Sequence, residues 1–277
     1  MKKRSTVFLC FFLLILLTVY SQSNVTNVYK SAIDDLLSNE AEEILLGNVN
    51  RLSDKYTLDY ISLAKLDNKS YRILRNIIYA KHGHIFKSKE LTDYFTQFPW
   101  YTPNQNVTDS MFSDVDKKNI EIIQQFENMD ETKANVFLSD DKIGVWQKGY
   151  GMASGWGERF VIYDNNKIEF LFSQMKQLKI VNGYSGSYSI KGNVLIFLVK
   201  EIDFNEYSPE YSYSAGWGYE WKQQRRNKII FSEPVILKFP ISTIMNENSL
   251  RVKNVLSIKI GGYEFFMMEK DVNKRNE

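Results

Sequence analysis

The chain has two histidines, and they stand two residues apart, at His82 and His84. They fall across a predicted helix end and so do not share a helical face. A structural zinc site needs four closed ligands and a catalytic one three. Carboxylates would have to complete either set, and no spacing in the sequence asks for them. His82 is therefore expected to be a hydrogen-bonded structural group, with no metal and no cofactor. A Ser-His-Asp arrangement is equally unsupported, because neither imidazole has a nucleophile elbow near it. Cys10 is the single cysteine. If the N-terminal segment is removed, no disulfide, thiolate nucleophile or cysteine-ligated metal remains.

The carboxylates and indoles offer more. Ala153-Ser154-Gly155-Trp156-Gly157-Glu158 and Ser214-Ala215-Gly216-Trp217-Gly218-Tyr219-Glu220 echo each other. Flanking glycines let the backbone turn freely and expose each Trp, so Trp156 and Trp217 read as loop residues forming an aromatic platform for a sugar or an apolar ligand. The opposing reading folds both indoles inward as plugs. Glu158 and Glu220 in these loops also admit a glycoside hydrolase, which needs two carboxylates roughly 5–10 Å apart around the scissile bond. With 33 acidic residues in the chain, such a pair also arises by chance.

The elements that position these groups change character along the chain. From Ile73 to Phe86, helical spacing places Ile73, Leu74, Ile77 and Ile78 on one apolar arc, with Arg75, Tyr79 and His82 as a polar stripe beside it. Gly83 then ends the helix as a left-handed C′ residue. Val28 to Asn48 reads as one or two short amphipathic helices with Asn39 as an internal cap. Ser88 opens a further helix that must end before Pro99. Ser113 to Asp116 resembles a capping box with Asp in place of Glu, starting a helix to Asn128. Trp100 and Tyr101 lie between these helices. They are read as a packed structural lid, or alternatively as lining a ligand groove with the Arg75-Tyr79-His82 stripe.

Leu74-Arg75-Asn76, Ile78-Tyr79-Ala80-Lys81-His82-Gly83, Phe86, Tyr94-Phe95, Trp100-Tyr101 and Pro103 together resemble the YARHG domain, a module of bacterial envelope proteins. The resemblance runs from about Asp67 to Glu127 and implies a small helical fold and an extracytoplasmic setting, with Asn76, Gly83 and Phe86 as structural motif positions. The family implies no established activity. Lys81 replaces the usual Arg, which puts a planar bidentate contact there in question.

From Ile143 the period becomes alternating, with short strand-like runs to Met268. Asp164 to Lys167, Lys191-Gly192-Asn193 and Gly261-Gly262 read as hairpin turns. Eight to ten antiparallel strands at this spacing prefer closure. Gly144-Val145-Trp146 resembles the glycine-x-tryptophan opening of lipocalin-like barrels, implying that Trp146 closes a barrel base. The fold class expected is α+β and multidomain: a small all-α N-terminal YARHG-type domain followed by an antiparallel all-β barrel or sandwich.

Met1 to Ser21 has the three parts of a signal peptide, with cleavage expected near Ser21. Its apolar run, Val7 to Val19, is shorter than the roughly 20 residues that span a bilayer. Cys10 precedes most of that run, which argues against a lipid anchor. Contact with membrane is expected only through this segment if it stays uncleaved. The chain carries 35 basic and 33 acidic residues, and residues 1–21 hold three of the basic and none of the acidic ones, leaving the remainder one charge negative. A basic field for nucleic acid is therefore missing.

The divisions expected are a signal peptide (1–21), an N-terminal helical segment (22–66), the YARHG-like domain (67–130), the β domain (134–270) and a tail (271–277). The function expected is non-enzymatic binding or scaffolding toward cell-wall glycan, peptide or an envelope protein. A lipocalin-like carrier of a small apolar ligand and a wall hydrolase using Glu158 and Glu220 are the alternatives. Large side chains such as Phe170, Phe172, Phe197 and Phe265 argue that the β interior is filled.

Overall fold

A computed structural model describes residues 27–135, 142–150, 157–173, 181–214, 218–248 and 253–272, with side chains of 206–225 left aside. The signal-peptide region and both Trp156 and Trp217 lie outside the described residues, as does most of the strand expected at Met175 to Val181.

The N-terminal half is helical. α1 (Asn27–Leu37) and α2 (Glu40–Leu45) meet at Asn39, whose side chain accepts the Glu42 N–H and caps α2. A short 3₁₀ turn (Val49–Arg51) leads to α3 (Tyr60–Leu63), capped by Asp59 through the N–H groups of Ile61 and Ser62. α4 (Asn68–Lys81) buries Tyr71, Leu74, Ile77 and Ile78. α5 (Lys89–Phe95) buries Leu91 and Phe95, and α6 (Asp114–Glu127) buries Ile120, Ile122, Ile123 and Phe126. Both bonds of the expected capping box are made, Ser113 to the Asp116 N–H and Asp116 to the Ser113 N–H. Val115, a core candidate by spacing, is only partly buried.

The C-terminal half is one nine-stranded antiparallel sheet. Its strands are β1 (Gly144–Lys148), β2 (Arg159–Ile162), β3 (Lys167–Leu171), β4 (Val181–Lys191), β5 (Val194–Ser214), β6 (Gly218–Pro240), β7 (Met245–Asn248), β8 (Lys253–Ile260) and β9 (Tyr263–Glu269). They run in the order β6-β5-β4-β3-β2-β1-β9-β8-β7. The expected turns all form, with positive φ at Asn166 (60°), Gly192 (57°), Gly261 (60°) and Gly262 (84°).

The expected α+β class holds, a helical region followed by an antiparallel β domain, but the sheet is not closed into a barrel. The strand order leaves β6 and β7 as its ends, and the chain just after β6 meets β8 through the Ile241–Ile260 bridge and the Ser242 N–H to Lys259 carbonyl bond at 3.0 Å. The lipocalin-like closure implied by Gly144-Val145-Trp146 therefore does not occur, although Trp146 is fully buried and donates Nε1–H to the Lys142 carbonyl at 2.8 Å. The physical reason lies in what covers the apolar face. One continuous buried cluster contains Leu36, Ile44, Tyr60, Ile78 and Phe126 together with Phe160, Phe170, Phe197, Phe239 and Phe265. Helices supply part of that cover, and the sheet itself curls, so that Phe160 of β2 and Phe239 of β6, with three strands between them, meet at 5.6 Å.

β5 and β6 run far beyond their apolar runs. Their polar stretch is held by cross-strand pairs, Arg226 with Asp203 and Lys228 with Glu201 (2.7 Å). Glu220, expected in a loop, stands in β6 opposite Ser212.

Candidate functional site

The polar stripe of α4 is turned onto neighbouring elements. Arg75 makes a two-pronged contact with Glu127 at the end of α6, Nε to Oε2 at 2.8 Å and the other guanidinium nitrogen to Oε1 at 3.2 Å. His82 Nε2 lies 3.1 Å from Asp116 Oδ2, and the same carboxylate accepts from the Ser113 hydroxyl at 2.8 Å. The Ser113 proton is thus committed to Asp116. Tyr79 packs edge-on against Phe112 (4.7 Å) and His84 (5.7 Å). Burial pushes the Tyr79 phenol up, with Asp109 adding to the shift and Arg75 opposing it. Asn76 donates back to the Arg72 carbonyl one turn earlier at 2.7 Å.

Gly83 adopts φ +78°, and a Cβ there would press on the Asn104 side chain and the Thr102 carbonyl. The chain then leaves in an extended direction. His84 Nδ1 accepts the Val107 N–H at 3.1 Å, which places the ring proton of the neutral imidazole on Nε2. Tyr101 donates to the His84 carbonyl at 2.7 Å and is buried, and Phe86 stacks on Phe95 at 4.8 Å. Trp100 stacks on Phe98 at 5.6 Å, with its Nε1–H buried and without a partner. Lys81 makes a single contact, Nζ to Asp54 Oδ1 at 2.5 Å, and the forked contact of an arginine is absent.

The stripe and the Trp100-Tyr101 segment therefore belong to one packed module. Arg75 and His82 are joined through α6, Tyr79 through Phe112 and His84, and Tyr101 through the His84 carbonyl. Among the described residues, no group of three or more His, Cys, Asp or Glu side chains could hold a metal ion.

A second constellation joins the module to the sheet, and sequence reasoning saw only one of its members. Tyr60 is buried among Phe170, Phe239, Tyr263 and Phe265, with ring centroids 5.1 to 6.3 Å away. Its hydroxyl donates to Glu158 Oε2 at 2.9 Å, and Lys148 Nζ meets the same oxygen at 3.1 Å. That ammonium also lies over the Tyr263 ring at 3.8 Å. The Tyr263 hydroxyl is shared with Thr57 at 2.7 Å. Burial, then the nearby Glu158 charge, holds the Tyr60 phenol well above its ordinary range. Glu158 is thus tied up in a helix–sheet clasp. The one available signal was the aromatic density around it.

With this geometry in hand, the comparison with known families is direct. Residues 48–128 match the family model of the YARHG domain, a span that begins upstream of the Asp67 boundary read from the motif and takes in Tyr60. No curated protein and no solved structure matches the chain. No helix among the described residues is long and apolar enough to cross a membrane.

Proposed function

We propose that this is an exported envelope protein whose YARHG domain and attached sheet hold a partner, cell-wall glycan or an envelope protein or peptide, without transforming it. Export rests on the signal-like residues 1–21, cut near Ser21, together with the family match. The observation that carries the binding reading is that the polar groups of the motif are committed internally. Arg75 is held by Glu127, His82 by Asp116, and the Ser113 hydroxyl by that same Asp116. Three large apolar side chains of the matched segment nevertheless stand in solvent among its charged residues, Tyr56 76%, Ile85 46% and Met111 40% exposed, and are available to a partner. The concave face of the sheet is filled by Tyr60 and the phenylalanines around it, which favours a surface partner over an enclosed small molecule.

Sedimentation with insoluble wall polymer tests this. The full chain is expected in the pellet, and Trp100→Ala, if it melts as the parent does, is expected to stay in solution when that indole contributes to the surface. Wall fragments released by the protein, and lost with Glu158→Gln, would replace binding by hydrolysis.

A further inference from the structure

A groove of about 580 Å³ lies where the helical half meets the edge of the sheet, with Ala64, Met129, Val194 and Ile236 as its apolar lining. Its size is that of a ligand site. One wall is β6, the terminal strand of the sheet. The Lys238 N–H points away from β5 and donates to the Ala64 carbonyl at 2.9 Å. In an antiparallel strand both backbone polar groups of a residue point to one side, and the side alternates along the chain. Those of Ile236 therefore also point outward. Ile236 lines the groove and is 52% exposed, and among the described residues no hydrogen bond outside the sheet ladder engages its backbone. Pro234 supplies no N–H to the next rung, so a single open rung is left.

The charges select the occupant. Lys238 is held by Glu131 at 2.7 Å, and Lys65 is buried in the carbonyls of Leu36 and Ser38 at 2.7 and 2.5 Å. The lining holds three carboxylates, Asp67, Asp130 and Glu131; Lys133 meets Asp130 at 3.7 Å and Lys238 meets Glu131, which leaves Asp67, hydrogen-bonded by Ser70, to face a basic side chain. Hydrogen bonds from Ser70 and Thr132 hold Asp67 and Asp130 below the usual carboxylate range, so both stay ionised. No aromatic side chain lines the groove, which leaves a sugar ring nothing to stack on.

We infer that this groove binds an extended peptide carrying a basic side chain, which pairs with the Ile236 backbone as a short added strand. The inference deepens the binding reading above and rests on it.

The test is fluorescence anisotropy with the full chain and a dye-labelled heptapeptide of alternating valine and lysine. Saturable binding is expected. Replacing lysine by glutamate, or methylating alternate backbone nitrogens, is expected to weaken it about tenfold. Ile236→Pro removes the outward N–H together with the side chain that lines the groove and is expected to do the same. Thr132→Trp, in an exposed loop, fills the groove without touching the core and is expected to weaken binding as much, which keeps the test decisive if Ile236→Pro unfolds. Absence of saturable binding, equal affinity for all three peptides, or full affinity in Thr132→Trp would overturn the proposal, as would a chain that occupies this edge by dimerising. Wall sedimentation that fails while peptide binding remains sensitive to Thr132→Trp removes the glycan reading and keeps the groove. Sedimentation that persists without peptide binding does the reverse.

Discussion

Tyr60 is the side chain on which the union of helices and sheet most depends, and its removal has a calculable cost. It is 2% exposed and touches four aromatic rings of the sheet. Truncating a buried aromatic residue to Ala costs about 3–5 kcal/mol through lost transfer energy and the cavity left behind. The hydroxyl adds a hydrogen bond to a carboxylate, worth about 1.5–3 kcal/mol in a buried setting. Here the figure is at the low end, because Glu158 keeps Lys148 and is partly exposed. Tyr60→Ala is expected to lose about 4 kcal/mol and Tyr60→Phe about 1 kcal/mol. Domains of ordinary stability have about 5–15 kcal/mol in all, so the first loss is a large fraction.

Urea titrations followed by far-ultraviolet circular dichroism and by tryptophan fluorescence supply the measurement. Of the five tryptophans, Trp100 lies in the helical module and the other four in the C-terminal half, Trp146 among them in the sheet core, so fluorescence weights the β half and dichroism the helices. One buried cluster spans both, so the two probes are expected to trace a single transition that moves as a unit in Tyr60→Ala. Separate helical and sheet transitions, or a loss below about 1.5 kcal/mol in Tyr60→Ala, would refute the claim that this ring couples the halves.

Three further outcomes follow from single sites. The Tyr60 and Tyr184 phenols are both held well above their ordinary value by burial and by the charges of Glu158 and Asp35. The native state thus keeps protons that the unfolded chain releases near pH 10, and stability is expected to be unaffected below that pH and to fall above it, less steeply in Tyr60→Phe, as read by melting temperature between about pH 8 and 11. Gly83→Ala must adopt the left-handed region against Thr102 and Asn104, and is expected to cost at least about 1–2 kcal/mol by thermal melting; an unchanged melt would show that the helix end can relax. Asp116→Ala removes the return bond of the α6 capping box, from the Ser113 N–H, and the partner of His82, with an expected loss of about 1–3 kcal/mol by urea titration, and His82→Ala in that background should add little, because the pair acts as one unit.

What the sequence reveals here is local. The Gly83 stop, the Ser113–Asp116 box and the turns at Asn166, Gly192 and Gly261 each depend on residues within four positions, so their spacing alone predicts them. The partners of the stripe do not obey that limit. Arg75 meets Glu127 52 residues on, and Tyr60 meets Glu158 98 residues on. Nothing in the spacing singles out those carboxylates among 33 acidic residues. The length of β5 and β6 was hidden for the same reason. Asp203 and Arg226 look like loop residues until the register sets them diagonally across a ladder, where their charges pair. Closure was overestimated because alternation tells that one sheet face is apolar but not what covers it. Helices and a facing strand wall leave the same pattern.

The boundary of the helical module gives the sharpest remaining test of how it is built. The motif suggests a start at Asp67, yet the family match begins at residue 48. The intervening stretch supplies partners that the later helices cannot replace. Tyr71, fully buried in α4, donates its hydroxyl to the Leu63 and Leu66 carbonyls at 3.0 and 3.1 Å. Asn119, buried in α6, accepts the Leu58 N–H at 2.8 Å. A fragment of residues 67–130 would leave both polar side chains without these partners in an apolar setting, at about 1–3 kcal/mol each, and would also expose the core face that Ile61 and Leu63 cover. Few modules of that size keep more than a few kcal/mol in hand. The fragment is therefore expected to show helical dichroism without a cooperative melt. A sharp transition near that of the full chain would mean that the helices from α4 onward form a sufficient core by themselves, and that residues 48–66 serve the sheet and not the module.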